Sequence, residues 1–512
     1  MKKYKESQKV VSVLLSFILI ITTSGCYSLR GLAKNDIQST NKSTYFLHGP
    51  HTFYKITNAT ISEGVLAGTI DYVVSPVSKS KSIHIYAAPD SSIVKNGDRV
   101  QVQFKNIVKV EDYELDGVRT FVGLAGTLSF GFLALILIIL LTKGASCPFI
   151  YADNGDNFQF TGEIYSGATN LPLERDDYLP VGNIKPSGNK YQLRITNEVN
   201  EIQNTNLTEL IVVDHLPGIK ILMDKYGDAY SVSDFKIPSE ATDTYGNSIL
   251  NKLAYGDSVS YISTIKKDPT IKDTISLTFK KPEGAKSSSL IIRGKNTMWL
   301  DYMYGKFSDL FGKRFDKWKE QSNKKSREEL LKWTLDQGMA MSVYLETDTG
   351  LKFVDYFNLP GPMAYKDDIL QIDLNQVHTD KVTLKLVSGV LFWDIDYTGM
   401  DFTQSGSVSK TILPLFSATD ENGKDVRSLL TNNDDKYLVQ PLPVNKTDLT
   451  FTAPDLQAGM VRSVFLHSKG HYEILRDTKG KPDIAYLKTF REPGTFIKFS
   501  KDHFLQYYYK EN

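Results

Sequence analysis

The sequence predicts a mainly β protein: a small antiparallel β domain, one transmembrane-like helix, then β-sandwich modules with an inserted helical hairpin. Three observations lead there. Short apolar–polar alternations recur through residues 46–118 and 146–512, broken by Gly, Asn, Asp and Pro, which is the period-two signature of strands punctuated by turns. Tyr and Phe are abundant, at 28 and 26, and aromatic residues favour strands and cross-strand pairs. One uncharged apolar stretch, Phe121 to Thr142, stands apart from the rest. The 512 residues leave room for roughly two to four domains. With only two cysteines, Cys26 and Cys147, a disulfide framework and a Cys-based zinc site are both excluded. Charge is balanced, 60 Lys+Arg against 59 Asp+Glu, without the basic footprint of a nucleic-acid binder.

The N-terminus reads as a targeting segment. Lys2, Lys3, Lys5 and Lys9 precede an apolar run from Val10 to Ile21, long enough for a signal peptide and short for a membrane span. Ser24-Gly25-Cys26 follows. This arrangement resembles a bacterial lipoprotein signal, in which the cysteine is lipidated and the preceding peptide removed; Thr23 departs from the leucine usual there. The resemblance implies residues 1–26 as signal peptide and Cys26 as the lipidation site. Acyl chains in the bilayer contribute about 0.8 kcal/mol per methylene. The polar stretch 27–45 is expected to be a flexible tether.

Residues 46–118 are expected to form the small β domain. Val100, Val102 and Phe104 alternate with Arg99, Gln101 and Gln103, and Lys105-Asn106 provides a turn into Ile107 to Tyr113. His48 and His51 flank Gly-Pro and read as loop residues, not metal ligands. Residues 119–143 then hold the hydrophobic segment, marked by Phe121, Leu137 and Leu141 and bracketed by Arg119 and Lys143. About twenty such residues suffice to span a bilayer. With Cys26 outside the cytoplasm, one crossing returns residues 143–512 to it. Yet basic residues are commoner before the segment than after it, which opposes that placement. The sequence leaves the side open.

The remainder divides, on pattern, into a β-rich module at 146–285 and a β-sandwich module with a helical insertion at 286–512. Asn154-Gly155 between apolar runs predicts a type I′ hairpin, and the surrounding Asp153 and Asp156 lack the closing glutamate of a calcium loop. Strands are predicted at Tyr191–Thr196, Leu210–Val213, Thr274–Lys280, Leu290–Arg293, Val382–Leu386, Val390–Ile395, Leu449–Ala453 and Val461–Leu466, with a turn at Asn422-Gly423. Trp299, Met303, Phe307, Leu310, Phe311, Phe315 and Trp318 recur at helical spacing, weakened by Gly305 and Gly312. Ser326 with Glu329 is a capping-box pattern opening a second helix.

Several strings in this region, Ser146-Cys147-Pro148-Phe149-Ile150-Tyr151, Leu173-Glu174-Arg175-Asp176-Asp177-Tyr178, Asn296-Thr297-Met298-Trp299 and Phe465-Leu466-His467-Ser468-Lys469-Gly470-His471, resemble a module of cell-envelope lipoproteins from Bacteroidetes-type bacteria. The resemblance implies location and architecture and carries no activity.

Chemistry is sparse. No phosphate loop, HExxH or GxSxG occurs, and no cofactor or metal is expected. His467 and His471 share a face if they lie on one strand, but about 13 Å apart at 3.3 Å per residue. Asp394 and Asp396 beside Trp393 form the best carboxylate pair for acid/base work. Glu174-Arg175-Asp176-Asp177 reads as a cluster that pairs internally to fix a loop. The expectation is a membrane-anchored envelope lipoprotein that binds or scaffolds, partnered by the membrane and by envelope proteins or glycans. Exposed Trp393, Tyr397 or Trp299 would supply glycan platforms; the rival is a hydrolase using Asp394 and Asp396.

Overall fold

The computed structural model describes residues 27–32, 34, 37, 43–49, 53–62, 64–71, 82–88, 92–115 and 147–510, apart from 183, 258 and 404–407. Cys26 and the segment 121–142, with Phe121, Leu137 and Leu141, lie outside the described residues. Among the described residues no helix is long and apolar enough to cross a membrane. The chain forms two compact units, divided near residue 136.

Among the described residues of the first unit, eight strands make one sheet, in the order Tyr27–Gly31, Ile107–Leu115, Ser82–Ala87, Thr44–His48, Phe53–Ser62, Val65–Ile70, Arg99–Gln103, Ile93–Asn96. The expected alternation holds: Val100 and Val102 are buried while Arg99, Gln101 and Gln103 are exposed. They join Leu47, Ile56, Ile83 and Ile85 in one core. Two expectations are corrected. Residues 27–45 are not simply a tether, because Tyr27–Gly31 pairs with Ile107–Leu115. The sheet is not wholly antiparallel either, since Thr44–His48 runs parallel to Ser82–Ala87.

The second unit opens with a β-sandwich. One sheet runs Phe158–Glu163, Phe149–Asp153, Lys190–Thr196, Lys446–Thr452, Leu415–Asp420; the other runs Arg175–Pro180, Val461–Ile474, Glu201–His215, Thr411–Leu413. Ile150, Leu193, Ile195 and Phe451 of the first face Leu210, Val212 and Leu466 of the second in a shared core. Each such side chain contributes about 1.5–3 kcal/mol when fully buried. The hairpin at Asn154-Gly155 forms, but not as type I′: Gly155 alone takes positive φ there. Asp153 accepts from Gly155 N–H, and Asn154 from the N–H groups of Asp156 and Asn157, so side-chain acceptors shape a longer loop.

Between the two halves of this sandwich the chain inserts a second β-module. Its sheets are Phe235–Lys236, Trp393–Asp401, Ser287–Asn296, Lys366–Asp373 and Glu240–Thr242, Lys272–Lys280, Lys381–Gly389, Met341–Thr347, Gly350–Phe357. A division near 285 is therefore corrected: it would cut this module, and the first sandwich is completed only by residues 411–474. The strand expected from Val390 starts at Trp393, because Leu391 takes a positive φ and turns the chain.

The helical insertion is present. Helix α1 (Met298–Asp309) is capped by the Thr297 hydroxyl, which accepts from Leu300 N–H. Gly312, at φ +47°, ends the run, so α2 (Phe315–Ser322) is a separate helix. Helix α3 (Arg327–Asp336) starts at Ser326, whose hydroxyl accepts from Glu329 N–H at 3.2 Å. Two further helices carry no clear sequence signal, α4 (Ile484–Thr489) and α5 (Thr495–Lys510). Helix α5 packs on α1: the Trp299 indole N–H donates to Ser500 Oγ at 2.8 Å.

Candidate functional site

The residues singled out by pattern do not converge. Trp393 is buried in the inserted module, and its indole N–H donates to Met339 O at 2.9 Å. Tyr397 and Trp299 are buried as well. None of the three is a surface platform, because every residue of the strand Trp393–Asp401 is covered on both faces and α5 covers Trp299. Asp396 is also buried and accepts from Arg293 Nε at 3.2 Å. The same guanidinium lies 3.3 Å from Asp367, which also takes Lys220 at 3.2 Å and the Tyr397 hydroxyl at 2.6 Å. Asp396 thus belongs to a paired ionic network. Asp394 is buried too. Neither carboxylate lines the large cleft described below.

His467 and His471 lie on the strand Val461–Ile474, each with its own partners. The His467 ring bridges Asp176 (Nε2, 2.8 Å) and Glu209 (Nδ1, 2.9 Å) and stacks on Tyr178 at 4.6 Å. Burial pulls its pKa down, but the two carboxylates outweigh burial and lift it to about 9. It is therefore an imidazolium clamp tying three strands. His471 is held near Glu174 and the Tyr437 ring. Among the described residues no group of three or more His, Cys, Asp or Glu is arranged to hold a metal. The cluster Glu174–Asp177 pairs internally. Arg175 donates to the Ser166 and Leu359 carbonyls, and Asp177 takes Lys366 and the Tyr165 N–H. These bonds join the sandwich to the inserted module.

A buried acidic knot lies at the same junction. Cys147 holds φ +128°, a region that favours glycine. Its N–H donates to Glu201 Oε1 at 3.0 Å and its thiol to Glu163 Oε1 at 3.2 Å. Glu163 Oε2 accepts from Met363 N–H at 2.7 Å. A Cβ at Gly361 would come within 2.4 Å of that oxygen, so the bare glycine lets the loop close over the carboxyl. Burial drives the pKa of both Glu163 and Glu201 up to about 8, and raises the Cys147 thiol well above its usual range. At neutral pH the knot is held largely uncharged, which suits a site where ions are costly.

Next to the knot, a cleft of about 920 Å³ opens between the helical insertion and the sandwich. Its sandwich side is the segment Ser166–Leu173 with Tyr472; its helical side is built by α1, α2, α3 and α4. Helical spacing on α1 puts Asp301, Tyr304 and Phe307 toward it. Phe307 centres an aromatic wall, with the Phe490 ring at 4.8 Å, Trp333 at 5.6 Å and Trp318 at 5.9 Å. Trp333 is fixed by donation to Phe490 O at 2.8 Å. Tyr304 reaches Thr169 across the cleft at 3.4 Å. The aromatic stripe of 299–318 is legible in sequence. Its partners Phe490 and Tyr472 come from distant positions with no local signal, and Trp333 comes from the helix that Ser326 opens.

No protein-family model and no curated protein matches the chain. Among the solved chains that match, two show the following faint likeness. One, from the atomic structure of Sulfolobus Turreted Icosahedral Virus, has 9% identity, covers 59% of this chain and 91% of its own, with TM-score 0.12. The other, from the triple jelly roll fold and turret assembly of an archaeal virus, has 7% identity and coverages of 59% and 89%, with TM-score 0.12. At that similarity neither bears on fold or function.

Proposed function

We propose that this chain is a bacterial cell-envelope lipoprotein of the Bacteroidetes type, anchored through a lipid on Cys26 and by the segment 121–142, that acts as a non-catalytic binding protein. The observation that carries the binding reading is the open, aromatic-walled cleft of about 920 Å³, in the size range of small-molecule sites. The acid/base pair expected from the sequence, Asp394 and Asp396, lies away from that cleft and Asp396 is tied to Arg293, which supports binding over hydrolysis by that pair.

The anchor is tested by feeding cells an alkyne-tagged fatty acid. Label and membrane retention should both disappear in Cys26→Ala; retention without label would refute lipid anchoring at this residue. A C-terminal tag probed with protease in intact, osmotically opened and lysed cells assigns the side of residues 143–512. The cleft is tested by thermal-shift screening of the full chain against envelope glycans, peptides and amphiphiles. Protection that vanishes in Trp318→Ala supports the reading, and no protection by any class refutes it.

A further inference from the structure

The cleft's charges and its wall together define a ligand class. Of the residues that line it, Arg314, Lys317, Lys325, Lys332, Lys488 and Arg491 are cationic and Asp301, Glu329 and Asp336 are anionic. Two of these cations are already neutralised within α3 and its approach: Lys325 by Glu329 at 2.5 Å and Lys332 by Asp336 at 2.6 Å. Four cations therefore face one carboxylate. None of the four has an ion-pair partner among the described residues, and all four are exposed.

A fifth cation lies beside the wall. Arg476 packs against the bare backbone of α1, where a Cβ on Gly305 would stand 2.6 Å from its Nη2. Its Nε is buried without a hydrogen-bond partner, and its charge acts on Tyr304, which lines the cleft. A buried guanidinium N–H left unsatisfied is costly, and a planar five-donor fork suits a carboxylate or phosphate. The same lining includes Phe307, Trp333 and Leu330, which offer ring faces and aliphatic surface. Trp318, stacked on Phe311 at 4.4 Å, has an indole N–H with no partner among the described residues.

Resting on the binding reading above, we infer that the cleft takes a small anionic amphiphile, its carboxylate or phosphate held by Arg314, Lys317 and Arg476 and its apolar part against Phe307, Trp318 and Trp333. A sugar without charge would leave the cations unanswered. A neutral chain would use only the wall.

The test uses intrinsic fluorescence of the full chain in a non-ionic amphipol. The protein has 4 Trp, and two of them, Trp318 and Trp333, line the cleft while Trp299 and Trp393 are buried elsewhere. Octanoate and octyl phosphate are titrated beside octan-1-ol and octyltrimethylammonium. The expected result is a saturable emission change with either anion and binding at least about tenfold weaker for the alcohol, since one added ion pair in a partly desolvated site is worth a decade or more. Added salt should weaken only the anions. Trp318→Phe should remove most of the signal. Arg314→Gln/Lys317→Gln and Arg476→Gln should each weaken octanoate about tenfold while leaving octanol unchanged, with unaltered melting temperature as the check on folding. Equal binding of alcohol and anion, tighter binding of the cation, or indifference to the Arg variants overturns the anionic assignment and leaves the cleft as a binding site. Silence from all four probes overturns the assignment too, and the thermal-shift screen then decides the cleft itself.

Discussion

Raising the pH should destabilise this protein through the buried knot at Cys147. Glu163 and Glu201 carry pKa values near 8 when folded, against about 4.3 for an unperturbed Glu. The folded state therefore holds more protons than the unfolded state between those values, and stability falls as pH rises through the window. For one carboxyl protonated when folded and ionised when unfolded, each pH step of one costs about 1.4 kcal/mol. From about pH 6 to pH 9 one such carboxyl costs roughly 3 kcal/mol, and the adjoining pair on the order of 3–5 kcal/mol, because their charges oppose each other. At about 2 °C per kcal/mol for a chain of this size, the melting temperature should drop on the order of 5–10 °C. Starting at pH 6 leaves aside Asp273 and Asp368, which burial lifts to about 6. Glutamine is the diagnostic substitution. At Glu201 its Oε1 still accepts from Cys147 and Gln203, and its amide nitrogen takes the place of the unpartnered Oε2. Melts of wild type and of the Glu163→Gln/Glu201→Gln variant, followed by circular dichroism across the window, should show a steep and a shallow dependence. Equal slopes would refute the assignment of the knot as the titrating group.

Three further outcomes are expected. In a Cys26→Ser background, Cys147 should ignore a thiol reagent until the protein is denatured, because burial and the neighbouring carboxyls hold the thiol protonated; stoichiometric labelling of the folded chain would contradict this. His467 has a folded pKa near 9, above its ordinary 6.5, so its contribution to stability is full below about pH 6.5 and is lost as pH rises through 9. His467→Gln should abolish the alkaline slope that remains between about pH 6.5 and 9 in the glutamine double variant, and an unchanged slope there would exclude the clamp. Trp393→Ala should cost about 3–5 kcal/mol of stability, as for other buried Trp deletions, and leave ligand affinity per folded molecule unaltered; a selective loss of binding at constant melting temperature would return Trp393 to the site.

Local chemistry explains which features were legible in sequence. Period-two patterning located strands such as Arg99–Gln103 and Lys381–Gly389, because one covered face imposes alternation on the chain itself. Ser326 announced a helix start, since a cap bonds within three residues. The pairing of Glu174–Asp177 was also readable as a compact charge cluster. Helix α5 was not, because its aromatic run Phe499 to Tyr509 has weak helical preference and its order comes from packing on α1.

The rest depended on long-range placement. Whether Trp393 and Asp396 face solvent or core is decided by which sheets cover their strand, and both faces are covered. The nested order, with residues 235–401 inserted into a sandwich that closes at 411–474, leaves no mark in composition. The pKa values of Glu163 and Glu201 arise from burial beside Cys147, across separations of 16 and 54 residues. The cleft joins Ser166, Asp301, Trp333 and Arg491, residues whose proximity no local pattern records. By itself the sequence determined the β class, the alternating strands and the capped helix at Ser326, because each of these rests on near neighbours in the chain. Only the tertiary structure decided which polar residues are buried and which meet at the cleft, because burial and convergence depend on the whole chain folding back on itself.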